Sequence, residues 1–247
     1  MSGHNKWSTI KHKKAAQDAK RGKVFTRLIK EITVAARAGG GDVEANARLR
    51  SAVAAAKAAN MPADNIKRAI QKGTGELPGS SYDEVVYEGY GPGGVAILVE
   101  CLTDNKMRTT PEIRHLFSKH GGNLGEPGSV AWMFEKKGNL RVAAEAVAED
   151  RLMEIVLEAG AEDLERDDAE FAVRTSAEEF PAVQAAVERA GITVGEAKLI
   201  MEPSNLVLLD AKKAQQCLKL LEVLEDHDDV QSVSANLDFD ESEVAAD

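Results

Sequence analysis

Little in this chain is aromatic, sulfur-bearing or continuously apolar. Its two cysteines, Cys101 and Cys217, lie far apart in apolar-periodic stretches. They form no CxxC and no Cys/His ligand spacing, which argues against a disulfide framework, a zinc site and a thiol nucleophile. Buried free thiols are expected instead. No run reaches the apolar length of a membrane span. The polar N-terminus lacks the apolar core of a signal peptide. Both absences favour a cytoplasmic protein with no membrane partner. GxSxG, HExxH and a phosphate-cradling P-loop are missing too. The many carboxylates are scattered along helix faces. A non-enzyme is therefore expected, with no catalytic residue, no metal and no cofactor. Aromatics make up only 4% of the residues, but hydrophobic residues make up 43% of 247. That is enough apolar material for two domains or three small ones.

What is present is charge, unevenly placed. The chain holds 31 Lys+Arg against 41 Asp+Glu, a formal net charge of -10. Residues 1–75 hold 16 of the cations and only 5 of the acids, leaving 15 cations and 36 acids for the rest. A basic end on an acidic protein suits a polyanionic partner. From Lys23 the pattern is helical. Phe25, Leu28, Ile29, Ile32 and Ala36 share one face at 100° per residue. Lys20, Lys23, Arg27, Lys30 and Arg37 are expected opposite the apolar stripe and along a sugar-phosphate backbone, with Arg21 a further nucleic-acid-binding candidate. Upstream, His4, Lys6, Trp7, Lys11, His12, Lys13 and Lys14 form an arm expected to be mobile up to Gly22. There the Trp7 ring can stack on an unpaired base while its neighbours hold phosphates.

The fold class read from the pattern is α+β. A basic three-helix domain occupies residues 1–75, with Asp42 expected to cap its second helix and Pro62 to start its third. A linker follows over 74–81. Strands are expected at 83–90 and 95–102, a helix from Pro111 to His120, and a strand at 130–135. Residues 139–201 then read as βαββαβ, a ferredoxin-like plan. A strand at 205–210, a helix at 211–224 and a strand at 230–239 complete a second such set. The simplest topology inserts one ferredoxin-like domain (139–201) into another (82–136 plus 204–240), with an acidic tail at 241–247. The inserted domain is expected to fold alone, with its termini close together.

Several local motifs are weaker. Gly89-Tyr90-Gly91-Pro92-Gly93-Gly94 matches GxGxxG, but a buried strand follows where a dinucleotide site needs a helix, so a hairpin or a close backbone approach is expected. His115 and His120 have the wrong spacing for a shared metal. Glu225–Asp229 reads as a solvated acidic turn. Asn105, Arg108, Lys119 and Asn123 flank glycine-rich loops and are expected to form a second polar patch facing the basic domain.

These segments carry a resemblance. Gly-His-Asn-Lys-Trp (3–7), Lys-His-Lys-Lys-Ala-Ala-Gln-Asp-Ala-Lys-Arg-Gly-Lys (11–23), Tyr-Glu-Gly-Tyr-Gly-Pro-Gly-Gly (87–94), Thr-Asp-Asn (103–105) with Arg108-Thr109, and His-Gly-Gly-Asn-Leu-Gly (120–125) with Gly128-Ser129-Val130 are together highly specific. By them the chain resembles the YebC family over nearly its full length. Asn5 departs from the serine more often found there. The resemblance implies a three-domain cytoplasmic protein of a kind labelled probable transcriptional regulator, some with DNA binding. Mitochondrial relatives act as translational activators, and bacterial ones are linked to relief of stalled ribosomes. It supplies no cofactor and no catalytic residue.

The function expected is a non-enzymatic, nucleic-acid-binding regulator of gene expression. DNA is the target implied by the family label. A ribosome-associated translation factor on rRNA or tRNA is the alternative, favoured by the chemistry of the arm. A protein-interaction scaffold is a third class. A monomer is favoured.

Overall fold

The computed structural model describes residues 21–240 apart from Asp168. The arm residues and the acidic tail lie outside the described residues. By contact density the chain divides into two compact units. One runs to Met133 and resumes at Asn205, and the other comprises Phe134–Ser204.

The first unit begins with three helices, α1 (Arg21–Gly39), α2 (Ala47–Ala58) and α3 (Ala63–Thr74). Ile32, Ala35 and Ala36 of α1 pack with Leu49, Val53 and Ala56 of α2 and Ile66 and Ala69 of α3. Small side chains let the helices come close. A Cβ on Gly73 would lie 2.4 Å from the Thr33 carbonyl oxygen, so α3 can seat on α1 only with glycine there. Asn46, not Asp42, caps α2 by accepting from the Leu49 N–H at 3.1 Å. Its amide also donates to the Ala35 and Gly40 carbonyls at 2.8 and 2.9 Å, tying the end of α1 to the start of α2. Asp42 serves its own turn by accepting from the Glu44 N–H. Pro62 stands at the N-cap of α3.

Next come β1 (Asp83–Tyr90), β2 (Ala96–Thr103), α4 (Lys106–Lys119) and β3 (Asn123–Leu124). The GxGxxG segment turns the β1–β2 hairpin, with Gly93 and Gly94 at φ 74° and 82°, where L side chains are strained. Helix α4 starts five residues before Pro111, because the Asn105 side chain caps it by accepting from the Arg108 N–H at 3.1 Å. After the second unit the chain supplies β8 (Val207–Leu208), α7 (Ala211–Glu225), β9 (Val230–Ala235) and β10 (Leu237–Asp238).

The sheet of this unit runs β3-β1-β2-β9 with antiparallel neighbours. That is a ferredoxin-like strand order with altered connectivity. The strand position expected for residues 205–210 is filled by β1, joined to β2 by a hairpin that costs little closure entropy. Residues 207–208 instead pair in parallel with 237–238 as a separate two-stranded sheet. The strand expected at 130–135 is replaced by the two residues of β3. The strand expected over 230–239 breaks at Asn236, whose side chain accepts from the Ala96 N–H at 2.7 Å while its backbone N–H donates to the Ala96 carbonyl at 3.2 Å. Ile113 and Phe117 of α4, with Leu220, Leu221 and Leu224 of α7, cover the sheet residues Ile97, Val99 and Val233.

The second unit comprises β4 (Phe134–Ala143), α5 (Glu149–Glu158), β5 (Ala161–Asp167), β6 (Glu170–Ser176), α6 (Phe180–Arg189) and β7 (Val194–Pro203). Its sheet order β5-β6-β4-β7 is the ferredoxin-like βαββαβ arrangement. The unit is wider than 139–201, because β4 and β7 pair out to Phe134↔Pro203. That register sets Phe134 and Pro203, the two ends of the unit, side by side. Leu140, Leu152, Val156, Phe171, Val173 and Val183 form its core.

Candidate nucleic-acid interface

The periodicity of α1 predicts a face of cations open to a sugar-phosphate backbone. The geometry differs. Lys23 Nζ donates to the Asp226 carbonyl and carboxylate at 2.8 and 3.0 Å. Arg27 donates to the Glu225 carbonyl. Lys30, 7% exposed, donates to Asp229 Oδ1 at 2.7 Å and to the Asp228 carbonyl at 3.0 Å. These three cations therefore meet the C-terminal end of α7 and the turn after it, where helix carbonyls lack intrahelical partners and the dipole favours positive charge. The periodicity is right, but the face opposite the apolar stripe is covered by another part of the same unit.

Asp229 organises the contact. The acidic turn read as solvated places this carboxylate at 3% exposure. Its Oδ2 accepts from Arg108 at 2.7 Å, Thr109 at 2.7 Å and Thr103 at 3.1 Å. Burial pushes its pKa up. The hydrogen bonds from Lys30, Thr109 and Arg108 outweigh that and hold the carboxyl well below the usual carboxylate range. Reading the sequence missed Asp229, since nothing local separates it from Asp226 and Asp228.

The second polar patch does not assemble. Asn105 and Arg108 stand at the start of α4, while Lys119 and Asn123 stand at and beyond its end. At about 1.5 Å per residue the 14-residue helix keeps the two pairs roughly 20 Å apart. Arg108 answers Asp229 and Asp104 rather than open solvent. Arg37 donates to Ser81, and Arg48 bridges Glu31 and Glu84 at 2.7 and 2.8 Å. The backbone of Arg21 opens α1. Lys20 and the arm residues His4, Lys6, Trp7, Lys11, His12, Lys13 and Lys14 lie outside the described residues.

The cations left open in the helical region lie on α2 and α3, outside the α1 face. Lys57 on α2 and Lys67, Arg68 and Lys72 on α3 are exposed and make no hydrogen bond or ion pair among the described residues. Helix α3 turns Ile66, Ala69 and Gly73 inward, which fixes the outward direction of the three cations on it. The signal available in the sequence was the same amphipathic periodicity that singled out α1.

Burial pushes the thiols of Cys101 and Cys217 up to about 12. Neither is a thiolate at neutral pH. Among the described residues no three His, Cys, Asp or Glu side chains converge as metal ligands. Among the same residues no helix is long and apolar enough to cross a membrane.

Comparison with known proteins adds to this geometry. Residues 5–76 match a family model described as the TACO1/YebC protein N-terminal domain, and residues 82–237 match the TACO1/YebC second and third domain. A probable transcriptional regulatory protein of Desulfotalea psychrophila is 62% identical, covering 98% of this chain and 97% of its own. One from Koribacter versatilis is 59% identical over 99% of this chain and 98% of its own. The crystal structure of a conserved hypothetical protein from Aquifex aeolicus superposes with a TM-score of 0.87 at 49% identity, covering 96% of this chain and 98% of that one.

Proposed function

The chain belongs to the TACO1/YebC family, and from that premise we propose that it is a non-enzymatic, cytoplasmic regulator of gene expression that binds nucleic acid, DNA in the first place, through its N-terminal helical domain. The name shared by its relatives supports a regulator. The observation that carries the binding surface is the set of exposed cations Lys57, Lys67, Arg68 and Lys72, without a partner among the described residues, in the region that holds 16 of the 31 Lys+Arg. Phosphate contacts of this kind position a protein on a duplex without reading sequence. The arm cations His4 to Lys14, with Lys20 and Arg21, extend the same surface in this reading. Lys23, Arg27 and Lys30 do not, because their partners lie within the protein.

A second reading, a translation factor on rRNA or tRNA, is favoured by Trp7 and two histidines among the arm lysines, a composition suited to unpaired bases. The purified full chain, titrated with labelled duplex DNA and folded RNA over a salt series, tests the shared core. Affinity should fall steeply and linearly on logarithmic axes as salt rises. Absence of binding to both polymers would overturn the proposal. Sedimenting a lysate at low and high salt then separates the readings, by travel with nucleoid DNA or with ribosomes.

A further inference from the structure

One surface of the first unit is built more firmly than a loop requires. The segment Gly125–Met133 is held by Glu88, a buried carboxylate on β1. Its oxygens accept from the backbone N–H groups of Gly128, Val130 and Ala131 at 2.6, 2.8 and 2.7 Å. Burial alone would raise the Glu88 pKa. The three N–H donors lower it instead, so the clamp is ionised at neutral pH. Within this clamped segment Trp132 is 72% exposed. Its indole nitrogen donates to the Ser129 carbonyl at 3.2 Å. The hydroxyl of Tyr90, a residue 36% exposed, donates to the same oxygen at 3.0 Å. The polar ends of the two rings therefore lie within two hydrogen-bond lengths of each other. Large exposed rings normally cost entropy when a ligand fixes them, and these are already fixed.

The surroundings are chosen in charge as well. Between Glu112 and Glu126 the chain holds Arg114, His115, Lys119 and His120 and no acid, so cations outnumber acids around the two rings only locally, in a protein of net charge -10. Arg114 and Lys119 are exposed and make no ion pair or hydrogen bond among the described residues. Asn123, exposed and likewise without a side-chain partner, sits opposite Tyr90 in the β1–β3 register.

We infer that Trp132 and Tyr90 form a stacking platform for an unpaired base of a single-stranded nucleic acid, with the Asn123 amide at the base edge and Lys119 and Arg114 toward the flanking phosphates. Aromatic faces, one amide and free cations are the groups by which single strands are bound. The charge of the segment selects a polyanion over an apolar peptide. This inference rests on the nucleic-acid reading above and adds a second site to it, outside the helical domain.

The full chain carrying Trp7→Phe leaves Trp132 as its only tryptophan. Adding poly(A) should quench its emission saturably, and the poly(A)·poly(U) duplex should not. In the otherwise unaltered chain, Trp132→Ala should weaken poly(A) binding about ten- to a hundredfold, Trp132→Phe should restore most of it, and duplex binding should be unchanged. Circular dichroism checks that each variant is folded. Binding of poly(A), seen by anisotropy of a labelled strand, with silent Trp132 emission and full affinity in Trp132→Ala would overturn the platform and leave the proposed function standing. Failure of both polymers to bind would overturn both.

Discussion

Helix α1 presents Lys23, Arg27 and Lys30 to the end of α7, whereas α3 presents Lys67, Arg68 and Lys72 to solvent. Both helices belong to the same basic domain, and both pair an apolar stripe with cations. The difference lies in what covers the second face. Carbonyls at a helix C-terminus and a run of acids compete for cations as phosphates do, and in α1 they have them already. A cationic helix face is thus a binding surface only where no internal acceptor reaches it.

Substitutions can break this comparison, and the largest effect is expected at Asp229. Asp229→Ala leaves buried Lys30 without its carboxylate and strands Thr103 and Thr109, and should destabilise the protein by about 3–5 kcal/mol in urea unfolding. Loss of less than about 1 kcal/mol would mean that the pair is not what joins α1 to the turn. Next is Gly73→Ala. Its methyl has no room against the Thr33 carbonyl, so overpacking should cost about 1–3 kcal/mol, partly offset by better helix propensity. Calorimetry should show a lowered Tm.

Acid should reveal Asp229 separately. Its folded pKa lies below the unfolded one, so its contribution is complete above the ordinary Asp range near 3.9 and is lost as pH falls from there toward the folded value. Wild-type stability should fall more steeply than that of Asp229→Asn on acidification below about pH 4. Equal slopes would contradict the assignment. Arg108→Ala, with its side chain partly exposed, should cost only about 1 kcal/mol and leave nucleic-acid affinity unchanged. A lost affinity with an unchanged Tm would return Arg108 to the binding surface.

Much of this was legible along the chain. The apolar stripe of α1, the core of α2 and the βαββαβ order of the second unit follow from local periodicity. What was not legible depended on distant or very short pairing. Lys30 meets an acid 199 residues later. Strand β3 has two residues, too few for any alternation to show. β1 takes the place expected for 205–210, because a tight hairpin outcompetes a strand returning after the second unit. Glu88 looks like any solvent-facing strand residue until its three N–H donors are seen. In the candidate site, periodicity identified cations on helices but could not say which ones the fold would use.

The central claim is that open cations on α3, not the paired ones on α1, hold phosphates. The most direct measurement is the salt dependence of duplex DNA binding by the variant Lys67→Gln/Arg68→Gln/Lys72→Gln. Stability should change by no more than about 0.5 kcal/mol per site, since these side chains are exposed and make no hydrogen bond or ion pair among the described residues. The logarithmic salt slope should become shallower by about 0.9 for each lost contact, on every duplex sequence alike. A slope equal to that of the wild type in a folded variant would contradict the account.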